Sequence, residues 1–526
     1  MRALQIQLFL FLSFCSINVS NCQISFVNSY DSLYGSSMQQ TADGGYILTG
    51  TVPINGGIAD ISLVKTDMYG SIEWAKYFSG DSSEWGDYVI QTSEKGFLLT
   101  GRTISFGHIK SDIYVIKTDS LGDTLWTRTF GGSDVDFSCF ITESADSNYF
   151  IVGSSSSFSA GTAIILIKIN TNGDEIWTSV YKSSIINRIS AESAALTNDK
   201  GLIIVGRAYQ PGNNYYLLKT DSLGNLIWDK YYTSGITTYH VNRGYGVKQT
   251  SDGGYIMAGN YGVSPSSNGT SLFEIIKTDS SGNVLWDKAY GDSTTNTTDY
   301  AYSIDETFDG GFIAGGITSS FGVYQMYLVK TDNAGNLQWS KTFGASPSHI
   351  GVSFAVQAKD SSFVIAGHLG SPHPHLFNVF KTDKYGNTNC NMSVPPTNVY
   401  SMNSIANNAN GYRSSIFGLM GNPSTQVING SLQRFIACSN VGVSENFENE
   451  LIRIFPNPSN SDFTIKLSKE VKNARIEIFN SLAEKIYSES FSGKSTTFSG
   501  NLRDGIYFVR VTDQQQSFVL KIIIKQ

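Results

Sequence analysis

Apolar residues along this chain come in bursts of four to six, rich in β-branched and aromatic types and separated by Gly/Asp turns. Runs of that length and composition are strands, not helices. One stretch reads Tyr88-Val89-Ile90-Gln91-Thr92, Phe97-Leu98-Leu99-Thr100, Ile113-Tyr114-Val115-Ile116-Lys117 and Leu125-Trp126-Thr127-Arg128-Thr129-Phe130. The same four-strand phrase occurs seven times: a strand ending near Thr-x-Asp-Gly-Gly, an apolar strand ending in Gly, a strand ending Lys-Thr-Asp, then x-x-Gly-x-x-x-Trp. Trp74, Trp126, Trp177, Trp228, Trp286 and Trp339 lie 52, 51, 51, 58 and 53 residues apart, and Cys390 holds the seventh place. The glycines Gly70, Gly122, Gly173, Gly224, Gly282, Gly335 and Gly386 keep step, as do the lysines from Lys65 to Lys381. A four-stranded unit of this period predicts an all-β fold, a seven-bladed β-propeller over 23–390.

The ends of the repeat predict how the ring closes. Unit seven lacks a fourth strand, because Asn387-Thr388-Asn389-Cys390-Asn391 has no Trp-x-Lys-x-Phe pattern. Phe26-Val27-Asn28-Ser29-Tyr30 matches the spacing of Trp74-Ala75-Lys76-Tyr77-Phe78 and is expected to complete blade seven, leaving no open edge. Turns between strands one and two and between three and four are short and uniform, and share one face of the disc. The remaining loops are long and differ between units, as expected where a rigid scaffold carries recognition. On them lie the ligand-binding candidates Trp85, Arg102, Arg207, Tyr209, His240, Arg243, Tyr261 and His368. Exposed residues of these types also occur on surfaces that bind nothing. The aligned column Gln40, Gln91, Glu143, Gln249, Glu306 and Gln357, interrupted by Leu196, is placed near the axis, with hydrogen bonding between blades as its plainer role.

Composition narrows the chemistry. A net charge of −7 without a Lys/Arg-rich block argues against nucleic acid. Residues 1–22 read as a secretory signal peptide, with Leu8-Phe9-Leu10-Phe11-Leu12 as its apolar run and cleavage expected before Gln23; acylation of Cys22 is the rival. No later stretch reaches the roughly 18 consecutive apolar residues of a membrane-spanning helix. Cys390 and Cys438 are a candidate disulfide for an oxidising compartment, and Cys139 is expected as a buried thiol. His368, His373 and His375 include a His-Pro-His spacing, but no acidic or cysteine partner accompanies them, so no metal or other cofactor is expected. No Ser/His/Asp order, phosphate-cradling loop or zinc-protease motif occurs, and no catalytic residue is assigned. The Asp-x-x-Gly-x-x-x-Trp phrase resembles the Asp-box of sialidases and the tryptophan-docking repeat of quinoprotein dehydrogenases, where it is structural. It implies turn geometry and packing between blades, not an activity.

After Cys390 the repeat stops. Residues 391–446 are Asn/Ser-rich and read as a connector with irregular β structure, and a new strand pattern fills 447–526, expected as a small β-sandwich. There Pro456-Asn457-Pro458, the Leu502-x-x-Gly505-x-Tyr507 phrase and the closing Lys521-Ile522-Ile523-Ile524-Lys525 occur in order. Residues 451–526 thereby resemble the type A C-terminal sorting domain of the type IX secretion system of Bacteroidetes. Ala483 stands where that family often has glycine. The resemblance implies the type IX machinery as a partner, export through the outer membrane, and release or attachment at the cell surface. The leading expectation is a secreted or surface binding and adhesion module, not an enzyme, with a glycan or protein ligand on the variable-loop face. A secreted polysaccharide hydrolase and a structural surface protein without a ligand are the alternatives.

Overall fold

The computed structural model describes residues 24–441 and 452–524, apart from 32, 54–57, 109, 210–212, 234–241, 264–269, 293–296, 347–353, 370–375, 389–391, 403, 417–419, 422–424, 430–433, 456–458, 460–461, 481–484, 501, 504 and 513–516. The described residues form strands, turns and bends without a helix. Among the described residues, no helix is long and apolar enough to cross a membrane. The chain divides into two compact units, 1–441 and 442–526.

In the first unit, seven sheets share one plan. Blade one consists of Tyr34–Gln40, Tyr46–Pro53, Ala59–Thr66 and Ile72–Ser79, each antiparallel to the next. Blades two to six follow at 84–130, 136–183, 189–233, 243–291 and 300–346, and blade seven starts with Phe354–Gln357, Phe363–Leu369 and Leu376–Lys381. First strands of successive blades touch from blade one to blade seven, and the first strand of blade one meets the second and third strands of blade seven, so the first strand is innermost. The second and third strands are buried along most of their length, which is why they read as unbroken apolar runs rather than as alternation.

The repeated residues hold each blade together and dock it on the next. Each repeat lysine is buried and reaches the acidic residue of its own first turn, from Lys65–Asp43 to Lys381–Asp360, at 2.6–3.1 Å. Partial burial opposes ionisation of Asp43, yet Lys65 and the Thr41 hydroxyl hold it down at about 2. The Asp of the second turn accepts the amides two and four residues on, as Asp221 does from Leu223 and Asn225 at 2.9 and 2.8 Å. The turn glycine has a φ of 71–83°. From Gly122 to Gly386, an added Cβ would come within 2.5–3.0 Å of the preceding blade's tryptophan ring. That glycine is the socket for the tryptophan.

Ile24–Asp31 is the fourth strand of blade seven, antiparallel to Leu376–Lys381, with Phe26 opposite Lys381 as Trp74 is opposite Lys65. Asn28 and Phe26 fill the socket at Gly70. Tyr30 donates to the Gly70 carbonyl at 2.7 Å, as Tyr181 does to Gly224 at 2.6 Å and Tyr290 to Gly335 at 2.7 Å.

Residues 392–441, expected as a connector, are part of the ring. They run round the rim against the order of the blades and add a fifth, outermost strand to every one. Met392–Ser393 pairs with blade six, Asn398–Ser401 with five, Ile405–Asn408 with four, Gly411–Ile416 with three, Met420–Gly421 with two and Gln426–Asn429 with one. Arg434–Val441 finally pairs with Ile24–Asp31, which is thus held on both sides. The belt covers edges that would otherwise present unpaired amides and carbonyls. Side chains just after the repeat tryptophan help to hold it: Asp229 accepts from the Gly411 amide at 3.0 Å, Asp287 from the Ser404 amide at 3.1 Å, and Ser340 bonds Thr397 at 2.9 Å.

One of these anchors is electrostatically costly. Burial, and then the neighbouring Asp287, push Glu274 well above the usual carboxylate range, and burial raises Asp287 as well. Two facing carboxyls share a hydrogen bond only when one keeps a proton. A folded-state pKa above the unfolded one gives stability that is complete below about pH 4 and lost as pH rises through the folded value. Glu274→Gln supplies a permanent amide donor. Denaturant titration is expected to show the variant about 1–2 kcal/mol more stable than the parent at about pH 8, with a flatter pH dependence. A variant less stable at that pH would contradict this account.

The second unit has its own core of Phe463, Ile465, Ile476, Ile478, Val509, Val511 and Ile522. Its long strand Phe463–Phe479 changes partner on one edge, from Ile452–Phe455 to Gly505–Thr512, while Lys485–Phe498 follows the other edge. Ser517–Ile524 pairs with Gly505–Thr512 and ends the described chain. Tyr507 of the sorting motif donates to the Arg503 carbonyl at 2.9 Å. Lys521 lies opposite Phe508, whereas Pro456, Asn457, Pro458 and Lys525 fall outside the described residues.

Candidate ligand site in the axial channel

The innermost strands carry a repeated irregularity that positions the site. In blades one to six the pairing of first and second strands shifts by one residue, leaving Ser36, Asp87, Cys139, Glu192, Tyr245 and Tyr302 as bulges. A bulge re-aims a side chain and sharpens the local twist. Here it turns a ring of residues towards the axis. Charge interactions reach between blades here: Tyr88, next to the bulge of blade two, is close enough to sense Lys248 of blade five and Asp305 of blade six, and Cys139 to sense Glu192 and Asp87. Lys248, two residues before the first turn, is solvent-exposed.

Two residues before each bulge the strands carry Tyr34, Trp85, Phe137, Ser190, Arg243 and Tyr300, towards the variable-loop face. Arg102 lies opposite Trp85, and Arg207 opposite Ser190 in the equivalent place of blade four, so Arg102, Arg207 and Arg243 share one level. Each is propped by an aromatic ring. The Arg102 guanidinium lies 4.7 Å from the Trp85 centroid, Arg207 4.4 Å and Arg188 4.6 Å from Tyr209, and Arg243 5.0 Å from Tyr245. Tyr245, Tyr300 and Tyr302 form a cluster with centroids 4.8–6.1 Å apart.

The acids of the bulge ring sit among these cations. Arg243 Nε donates to Glu192 Oε1 at 2.9 Å. Burial raises Glu192, against the pull of Arg243 and Arg207. Burial also pushes Asp87 up to about 7, although Arg102 and the Ser138 hydroxyl, 3.2 Å away, work against it. Asp87 is therefore about half protonated near neutrality, able to donate or accept. Arg207 Nε donates to Asn213 at 3.0 Å, and Arg102 Nε is buried without a hydrogen-bond partner. Neither arginine forms an ion pair among the described residues.

The structure thus brings Arg207, Tyr209 and Arg243 together around Glu192, and sets Trp85 and Arg102 side by side at the same level on blade two. Tyr261, expected on a loop, is instead in strand Tyr255–Val263, 7% exposed, and packs with Leu272, Ala289 and the belt residues Tyr400 and Met402. The belt covers that end of blade five. His240, His373 and His375 lie outside the described residues, as does Cys390 of the candidate disulfide. His368 is in strand Phe363–Leu369 and Cys438 in Arg434–Val441, with their side chains outside the described set. Cys139, expected buried, is a partly buried free thiol on the bulge ring. Residue selection from the sequence missed Asp87, Glu192, Tyr245, Tyr300 and Tyr302. The signal was the column four places before the Gln/Glu ring, which alternation alone assigns to the wrong face.

That Gln/Glu ring bonds blade to blade. Gln91 accepts from the Ala42 amide at 2.8 Å, Glu143 from Ser93 at 2.8 Å, Gln249 from Asn198 at 2.7 Å, Glu306 from Ser251 at 2.7 Å and Gln357 from Phe308 at 2.8 Å. Gln40 accepts from Lys359 at 3.4 Å across the closure between blades seven and one. No group of three or more His, Cys, Asp or Glu able to hold a metal occurs among the described residues.

Comparison with known proteins places the C-terminal unit. Residues 453–525 match the secretion system C-terminal sorting domain family. The chain is 29% identical over 99 residues to an endo-acting ulvan lyase of Formosa agariphila, a match to 18% of this chain and 19% of that protein. The chain thus matches about a fifth of the length of that curated relative. Among solved structures, a fungal alcohol oxidase of the AA5 family is matched at 12% identity over 95% of this chain and 97% of that one, with a TM-score of 0.38. A puromycin hydrolase is matched at 11% identity over 64% and 58%, with a TM-score of 0.30. The motif order at the C-terminus, its self-contained β-fold and the family match agree: residues 453–525 are a type A sorting domain of the type IX secretion system, and the protein that carries it is a β-propeller protein addressed for secretion.

Proposed function

We propose that the protein is a secreted or surface-displayed binding module whose ligand, a glycan or protein, enters the axial channel at the variable-loop mouth, without turnover. The observation that carries this reading is that Arg102, Arg207 and Arg243, with Trp85 and Tyr245, stand at one level of the ring on its variable-loop side. Guanidinium groups propped on aromatic faces are preorganised donors, which lowers the cost of ordering on binding. Cleavage of a polysaccharide is the second reading, favoured by Asp87 and Glu192, two carboxyls of the same ring with raised pKa values. The lyase named among the relatives is compatible with a glycan ligand, and the likeness extends over too little of either chain to assign its substrate.

The test is a glycan and host-protein array probed with the full chain, beside cleavage assays on every hit. A fragment ending at 390 would strip the belt from all blades. Binding without product supports the module. Turnover abolished by Asp87→Asn or Glu192→Gln would establish the enzyme instead, and an array without hits would leave a structural protein.

A further inference from the structure

The mouth of the channel differs in charge from the rest of the molecule. The chain carries a net −7, yet four of the five arginines in 23–390, Arg102, Arg188, Arg207 and Arg243, lie towards the variable-loop side of the ring. Only Glu192 meets one of them in an ion pair among the described residues, through Arg243. Arg102 and Arg207 form no ion pair among the described residues, and Asp87 and Glu192 interact with them only at longer range. An incoming oxyanion would give these two guanidinium groups the charged acceptor that they lack at hydrogen-bond distance among the described residues.

We propose that this opening binds an acidic polysaccharide, with Arg102, Arg207 and Arg243 gripping the carboxylate or sulfate of a sugar and the Tyr245, Tyr300 and Tyr302 rings supporting the pyranose faces. The proposal rests on the reading of the protein as a binding module and names its ligand class. Three features separate this ligand from others. A guanidinium fork matches an oxyanion with two parallel hydrogen bonds, which a neutral sugar cannot return. Tyrosine rings at 4.8–6.1 Å and mutual angles of 41–81° make a corrugated apolar support suited to sugar C–H faces. An extended acidic peptide would ordinarily add to an open sheet edge, and the belt occupies the outer edge of every blade. Asp87 does not oppose the anion strongly, since near neutrality it is only partly ionised.

Isothermal titration of the full chain tests this with polygalacturonate, a sulfated galactan, a neutral glucan and poly-glutamate of matched length, at low and high salt. Polygalacturonate or the sulfated galactan is expected to bind, and the stronger of the two identifies the oxyanion. Salt is expected to weaken the interaction, and the neutral glucan to bind at least about tenfold more weakly. Arg102→Gln and Arg207→Gln remove cations that hold no ion pair, so the fold survives, and each is expected to weaken binding about tenfold or more at unchanged melting temperature. Arg243→Gln is the less clean variant because it strands Glu192. Equal affinity for the neutral glucan, tighter binding of poly-glutamate, or parental affinity in both Gln variants would overturn the proposal while leaving a binding module. Failure to bind either acidic glycan, with hits elsewhere on the array, would overturn it likewise. Failure of every ligand on the array would remove the module itself.

Discussion

A chain begun at residue 32, without Ile24–Asp31, is expected to lose the cooperative unfolding transition of its first unit. The strand contributes Phe26, Val27 and Tyr30, each at most 4% exposed, to the cores on the two sides of blade seven. Full burial of such side chains is worth roughly 1.5–3 kcal/mol each, so their loss approaches the 5–15 kcal/mol that holds a typical domain together. The deletion also bares Leu376–Lys381 and Arg434–Val441 and empties the socket at Gly70. Exposed edges of that kind invite association between chains. Circular dichroism melting beside a chain begun at residue 23, with light scattering to detect aggregation, is the check. An unchanged melting curve would mean that the ring does not need its clasp.

Replacing Gly224 with alanine is expected to destabilise the first unit by about 3 kcal/mol or more. Gly224 has a φ of 71°, and its Cβ would lie 2.5 Å from the Trp177 ring. The ring has no room to retreat: Phe150 stands 6.0 Å from it by centroid, and Arg413 of the belt caps it at 5.2 Å. Gly253 is the control. Its φ is 83°, but nothing lies within 4 Å of its added Cβ, so Gly253→Ala is expected to cost only the roughly 1–2 kcal/mol of the left-handed backbone. The difference between the two variants in denaturant titration measures the contact between blades three and four. Equal losses would show that the socket has no such role.

The left-handed position of the first turn shows how far the fold tolerates departures from its repeat. Blades one, five and six use Gly44, Gly253 and Gly310 there, whereas blades two, three, four and seven place Lys95, Ser147, Lys200 and Ser361 at φ values of 62–68°. Four strained residues persist because the flanking strands and the Lys–acid pair determine the turn, whatever residue occupies it. The socket glycine has no such substitute, since there the obstacle is a ring of the neighbouring blade.

Local chemistry made most of the ring legible in the sequence. Strand runs, the Lys, Asp, Gly and Trp columns and the pairing of Phe26 to Tyr30 with the last blade follow from periodicity, because every repeat solves the same turn and packing problem with the same residues. The sorting domain was legible for the same reason, through motifs read in order. Three features needed tertiary structure. The belt strands of 392–441 are two to eight residues long and largely polar, and pair through backbone with edges that are hundreds of residues distant for most blades, so no local pattern marks them. The bulges shift alternation by one residue, and only the pairing partner reveals which side chain then faces the axis. Arg102, Arg207 and Arg243 stand on the second strands of blades two and four and the first strand of blade five, and they share one level only because the strand register and the closed ring align blades that are far apart in the chain.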